Sequence, residues 1–265
     1  MSKLVLGIDL GTTNSVASIW NGHTHTVIKN KNLDYFPSVI NFTEHGKIIC
    51  ETNNEKSIRN IKRLIGCDYD NVQILKILSD INYDFQFDDS KILFHNKYEN
   101  KQYNIEELNS LVLKRIVSVA NKQLDYNIED VVITIPSHFN QIQRDSVLIS
   151  SKLANLNCIR IINEPTAASL SYGLKYHNDV NLLIFDLGGG TLDITYLNVD
   201  DGVFEILKTT GDNLLGGEDF TKLIFQDVIS NFKMDNKHFK LDDNIIKKNF
   251  GLLRNKCEDF KCNKI

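Results

Sequence analysis

The sequence predicts an α/β fold, and three observations carry that prediction. Short apolar runs of strand length alternate with longer stretches of helical periodicity along the whole chain. Two of the strands end in the same kind of turn, an Asp, a Leu, glycine and then Thr. Of the 265 residues, 42% are hydrophobic and 24% charged, the balance of an ordinary globular protein with ample core.

That composition excludes wholesale disorder, collagen and low-complexity fibre. The longest apolar runs, such as 131–135, fall far short of the roughly 20 residues needed to span a bilayer. The formal net charge of −4 gives no global reason to expect nucleic acid, and neither nucleic acid nor membrane is expected as a partner. Residues 1–9 run straight into an apolar strand with no secretory pattern. Cys50, Cys67, Cys158, Cys257 and Cys262 are odd in number and contain no Cys-x-x-Cys, so they read as reduced thiols of a cytoplasmic protein.

The elements follow in order. Residues 5–9 form an apolar strand ending in Asp9, 10–14 a turn and 15–19 a second strand. Asn21-Gly22 marks a hairpin into a third strand at 25–29. Residues 39–42 and 47–50 pair around a polar turn. Ile58, Ile61, Leu64 and Ile65 fall at helical spacing, stopped by Gly66. The stretch 67–104 is a mixed outlying unit. Leu108, Leu111, Val112, Ile116 and Val119 line one face of a helix over 105–124. A second α/β run then begins: a buried strand 131–135 halted by Pro136, a helix 141–153, a strand 158–162 and a helix opened by Pro165 that ends near Gly173. Residues 181–186 form a strand, and 192–199 and 203–210 a hairpin over Asp200-Asp201-Gly202. Helices at 218–232 and 244–262 complete the chain.

The two matched turns carry the chemistry. Gly7-Ile8-Asp9-Leu10-Gly11-Thr12-Thr13 and Ile184-Phe185-Asp186-Leu187-Gly188-Gly189-Gly190-Thr191 share one plan. Glycine lets backbone N–H groups converge on an anion, Thr hydroxyls add donors, and an Asp at the strand end can hold a hydrated Mg²⁺ against phosphate. Two such hairpins facing one another would grip a polyphosphate from both sides. Either alone is as well explained by a tight β-hairpin; the matched pair is not. No Gly-x-x-x-x-Gly-Lys-Ser/Thr is present, which excludes a P-loop. The seven histidines share no metal-ligand spacing and read as incidental.

At these residues the sequence resembles the Hsp70 chaperones. Residues 7–15 are similar to the family's first phosphate motif and 184–193 to its second. Lys62-Arg63-Leu64-Ile65-Gly66, Val132-Ile133-Thr134-Ile135-Pro136, residues 160–168, Gly211-Asp212 and residues 215–220 follow the family's order and spacing.

The resemblance implies the actin-like ATPase fold (a ribonuclease H-like motif), with ATP or ADP in a cleft between two lobes. Residues 1–36 and 105–175 would form the core of the first lobe and 37–104 its outer part. Residues 176–214 and 215–265 would form the core and outer parts of a partial second lobe. It assigns Asp9 and Asp186 to Mg²⁺ through water, and Gly11, Thr12, Thr13, Asn14, Gly188, Gly189, Gly190 and Thr191 to phosphates. Glu164, Thr191 and Asp193 would position the attacking water and the ions, K⁺ included. Pro136 and Arg144 resemble an allosteric relay, Gly216 and Gly217 approach the nucleotide from the second lobe, and Glu258 and Lys261 match ribose- and adenine-side positions.

Read without the resemblance, Pro136 only stops a strand. Arg144 is then a solvated charge, Glu164 a helix-entry carboxylate, and Glu258–Lys261 an i,i+3 surface pair.

The pattern departs from the family at 50–56, which is shorter than usual, as in the branch dedicated to iron–sulfur cluster assembly (HscA-like). The family's catalytic lysine is expected upstream of Lys62, where Lys56 is a candidate by proximity alone. Cys262 stands where an adenine-stacking arginine is usual, and the chain stops at Ile265. The expected activity is slow ATP hydrolysis coupled to client binding. A J-domain co-chaperone and a nucleotide-exchange factor are the expected partners, and client peptide would bind only through a domain absent here. The rival expectations are a non-catalytic relic that docks a co-chaperone or scaffold, and a kinase of the same superfold, which would leave residues 163–168 and 216–219 unexplained.

Overall fold

The computed structural model describes residues 3–44, 48–49, 57–67, 72–79, 83–88, 91–173, 179–238 and 241–263. Two sheets organise it. The large one begins with β1 (Val5–Asp9), whose alternation places Leu6 and Ile8 in the core. β2 (Asn14–Trp20) returns antiparallel to it, followed by β3 (His25–Val27) and by β4 (Phe36–Pro37), which pairs with the start of β2. Parallel strands extend the other side: β10 (Asp130–Ile135) beside β1 and β11 (Asn157–Asn163) beside β10, giving the order β11-β10-β1-β2-β3.

Between β4 and β10 lie β5 (Asn41–Phe42) paired with β6 (Ile48–Ile49), α1 (Val72–Ser79) and the sheet of β7 (Phe85–Asp88), β8 (Lys91–Asn96) and β9 (Lys101–Tyr103). The helix suggested by the spacing of Ile58, Ile61, Leu64 and Ile65 is only a 3₁₀ turn over Ile61–Leu64. Ile58 is committed to a backbone bridge with Ile40, and Asn60 takes a left-handed conformation (φ 57°), so no helix can run back through them.

α2 (Ile105–Leu124) matches its expected bounds. Asn104 and Glu107 cap each other reciprocally at its start, and its apolar face packs into the core. α3 (Gln141–Leu153) opens on the same device with Asn140 and Gln143 and packs against α2. α4 (Glu164–Gly173) follows β11 directly and crosses to the second sheet.

That sheet is the antiparallel meander β12 (Val180–Leu187), β13 (Leu192–Asp200) and β14 (Val203–Asp212), the last turn carried by Asp201 and Gly202 at positive φ. α5 (Gly217–Asp235) and α6 (Asp243–Lys261) pack on each other and complete the described chain.

One core cluster runs from Leu6 to Leu156 and belongs wholly to the large-sheet half. No helix among the described residues is long and apolar enough to cross a membrane.

Candidate functional site

The chain reverses at the ends of β1 and β12, and the two reversals meet. The hairpin Gly188–Thr191 closes through Gly188 N–H donating to Thr191 O at 2.9 Å. It lies so close to the first hairpin that a Cβ on Gly189 would sit 2.1 Å from Thr13 Oγ1, a contact only glycine avoids. Gly216 is equally confined: a Cβ there would fall 2.5–2.6 Å from the Gly189–Gly190 backbone. The paired strand–Asp–Leu–Gly–Thr plan is therefore two interlocked turns and not two independent hairpins.

Between them opens a cleft of about 320 Å³. Asp9, Gly11, Thr12, Thr13, Asn14, Glu164, Asp186, Gly188, Gly189, Thr191, Gly217, Glu258 and Lys261 line it, so the structure gathers most of the expected site residues from both halves of the chain.

The acids in and beside it are set by burial and by one another. Asp9 accepts from Thr134 Oγ1 at 2.8 Å. Burial and then the charges of Asp9 and Asp193 push the Asp186 carboxyl above its ordinary range. Burial does the same to Glu164, reinforced by Asp9 and Asp186 and opposed by Lys62. Burial raises Asp193 too, but hydrogen bonds from His138 and Ser137 outweigh it and hold the group below the usual range.

Asp9, Glu164 and Asp186 line the cleft, and Asp193 lies beside it. Among the described residues, no three or more His, Cys, Asp or Glu side chains converge closely enough to hold a metal by themselves. Asp9 and Asp186 therefore fit an ion whose shell is completed by water and phosphate oxygens. Asp193 Oδ2 is buried without a partner among the described residues, an oxygen available to a bound water or cation.

Two residues were missed by the sequence reading. Lys56 lies outside the described residues; Lys62 lines the cleft, as does Lys261, and is 7% exposed, with Nζ 2.6 Å from Glu164 Oε1. Its signal was in the Lys62-Arg63-Leu64-Ile65-Gly66 run already singled out; the search for a separate upstream lysine passed over it. His138, read as incidental, places Nδ1 3.3 Å from Asp193 Oδ1, beside Ser137 Oγ at 2.5 Å. Its signal was its place two residues after Pro136.

The remaining assignments divide. Arg144 is not a solvated charge: Nε donates to Phe139 O and Nη2 to Asn163 Oδ1, both at 3.1 Å, which ties it to the residue before Glu164. Pro136 ends β10 and lines an adjoining cleft with His138 and Lys62. Glu258 and Lys261 do form an i,i+3 pair (2.8 Å), but Lys261 Nζ also donates to Gly217 O at 2.8 Å and Glu258 accepts from Thr221 Oγ1 at 2.5 Å. Gly190 lies behind the hairpin, against Thr12 and Arg63.

An α/β molecule with paired Asp–Leu–Gly–Thr turns facing across an acid-lined cleft has the actin-like ATPase fold. The Hsp70 family model matches residues 5–264, and the chain belongs to the Hsp70 family. Chaperone proteins dnaK are similar to it. The one from Emiliania huxleyi is 40% identical over 240 residues, covering 87% of this chain. That from Gracilaria tenuistipitata var. liui is 40% identical over 245 residues (89% of this chain), and that from Thalassiosira pseudonana 36% over 248 (88%). The chain spans 38–40% of the length of these relatives.

Proposed function

We propose that this chain is the nucleotide-binding part of an Hsp70-type chaperone that binds Mg·ATP and Mg·ADP by their phosphates and hydrolyses ATP slowly. The observation that supports it best is the convergence of Asp9, Lys62, Glu164, Asp186 and both glycine hairpins on one cleft. Mg²⁺ would neutralise phosphate charge; Asp9 and Asp186 hold it through water, and Lys62 and the hairpin N–H groups face the phosphate oxygens. Glu164, Thr191 and Asp193 orient the attacking water. Pro136 and Arg144 connect this centre to the rest of the protein, Arg144 through Asn163 to Glu164. Glu258 and Lys261 frame the nucleoside end, and K⁺ is the monovalent ion expected beside Asp193.

On this reading the large sheet and residues 37–104 would be the first lobe, and the small sheet with α5 and α6 the second. In the intact protein the cycle would serve client binding in the cytoplasm, with a J-domain co-chaperone and an exchange factor as partners. Specialisation for iron–sulfur assembly rests on the short 50–56 stretch, and stimulation of turnover by an iron–sulfur scaffold protein tests it. A buried Lys62 in the cleft favours the catalytic reading over a non-catalytic relic.

The test is calorimetry and single-turnover hydrolysis. Mg·ADP should bind more tightly than AMP, Lys62→Ala should abolish turnover and Lys56→Ala should leave it. Equal affinity for AMP and ADP, or loss of turnover with Lys56→Ala alone, would overturn the assignment.

A further inference from the structure

We infer that Arg63 is the positioning residue that organises the second phosphate hairpin, and that it does so from the opposite half of the molecule. This rests on the phosphate-binding reading of the cleft.

The carbonyls of the hairpin give the reason. Gly188 O accepts from Gly217 N–H at 3.0 Å and Gly189 O from Glu218 N–H at 2.9 Å, both at the start of α5. The third carbonyl, Gly190 O, has no such donor from α5; the Arg63 guanidinium takes it instead, with Nε at 3.0 Å and Nη2 at 2.7 Å. A trans peptide is planar, with its C=O and the following N–H pointing in opposite directions. Three consecutive carbonyls held on the outer side therefore turn the N–H groups of Gly189, Gly190 and Thr191 to the cleft side, a backbone nest for an anion.

Two of the three carbonyls are fixed locally. The one that aims Thr191 N–H is fixed by a side chain of the 3₁₀ turn Ile61–Leu64, which belongs to the large-sheet half. Arg63 is itself held: it is 8% exposed and bonds both oxygens of Asp219 (2.5 and 3.3 Å), and Asp219 also accepts from Gly216 N–H at 2.8 Å. One planar fork thus joins the carbonyl of Gly190, the start of α5 and the segment that carries Lys62. The nest is complete only while the halves are closed on each other, so Arg63 couples closure to phosphate affinity.

The experiment uses the full chain with Arg63→Met, Arg63→Lys and Asp219→Asn. Calorimetry with Mg·ADP and with AMP should show Arg63→Met lowering ADP affinity tenfold or more and AMP affinity less than twofold. Arg63→Lys, which keeps the charge and loses the fork, should recover only part. Asp219→Asn, which leaves the Gly190 contact, should lose less than Arg63→Met. A general loss of structure would lower both ligands alike and is excluded by unchanged exchange at 105–135.

Hydrogen exchange on the nucleotide-free protein supplies a readout independent of ligand. The amides of Gly188, Gly217 and Glu218, whose hydrogen bonds close the hairpin and hold its carbonyls, should exchange at least tenfold faster in Arg63→Met. If the wild-type chain bound no ADP, the phosphate reading would fail while this exchange result still decided the role of Arg63. Unchanged exchange at 188, 217 and 218, or equal losses for ADP and AMP, would overturn the inference.

Discussion

The two halves of the molecule hold their site residues by different means. In the large-sheet half, β1 and β10 deliver Asp9 and Thr134 from strands whose alternate side chains (Leu6, Ile8, Val131, Ile133) are fully buried in one core. The small-sheet half has little core: beyond residue 156 the fully buried apolar side chains, among those described, are Leu197, Val199 and Cys257. On β12, Leu183 and Phe185 are 66% and 62% exposed, and β12 pairs with β13 alone among the described strands. Its site residues are instead held by polar contacts from across the cleft: Asp193 by Ser137 and His138, Gly190 and Asp219 by Arg63, and Glu218 by Thr13 at 3.3 Å as well as by Arg254 of its own half. The difference teaches that one glycine hairpin of the cleft is held in place by burial while the other is held by contacts from the opposite half.

The contrast is broken most directly through the core. Leu113→Ala should cost about 2–5 kcal/mol, because a fully buried side chain leaves a cavity. Leu183→Ala should stay within about 0.5 kcal/mol. Urea denaturation compares them, and a large loss at Leu183 would show that the small sheet has a buried core of its own.

Next in size is the buried pair at the cleft. Lys62→Ala strands Glu164 without its counter-charge and should cost about 3 kcal/mol at neutral pH. The loss should shrink towards acid, since the Glu164 carboxyl already sits above its ordinary range and protonates first. A loss that did not vary with pH would contradict the pairing.

Asp186→Asn should act with opposite signs on binding and stability. The raised folded-state value means that, without metal, Asp186 destabilises the fold as pH rises from 3.8 through that value. At pH 7 the amide should therefore raise the Tm of the metal-free protein while weakening Mg·ADP binding more than tenfold. Asp193 runs the other way: its depressed value stabilises the fold above the ordinary carboxylate range, and that contribution is lost as pH falls through the depressed value. A lower Tm for Asp186→Asn would show that burial and the neighbouring carboxylates do not disfavour the Asp186 charge.

The smallest effect lies at the helix pair. Thr221→Val removes one hydrogen bond to Glu258 and one from Lys261 and should cost about 1 kcal/mol. Little change in nucleotide affinity is expected, because Lys261 still holds Glu258, and a large one would show that Thr221 is needed to aim Glu258.

Much of this was legible in the sequence. Local signals, such as the apolar face of 105–124 or the Asp200-Asp201-Gly202 turn, placed α2 and the β13–β14 hairpin. The repeated Asp–Leu–Gly–Thr plan marked both glycine turns that line the cleft, since glycine is needed there for local reasons. The short turn at Ile61–Leu64 was misread because its apolar spacing is set by contacts of Ile58 with Ile40, which are remote in sequence. Lys62, Arg63 and His138 carry only a positional signal, in the 62–66 run and beside Pro136, because their partners Glu164, Gly190 and Asp193 lie 55 to 127 positions away.

The central claim is that both hairpins hold one polyphosphate, and hydrogen exchange with and without Mg·ADP tests it most directly. The account predicts slower exchange at amides 11–14 and 188–191 together, over the same range of ligand concentration, with little change at 105–135. Protection of one hairpin alone, or of neither while ADP still binds, would contradict it.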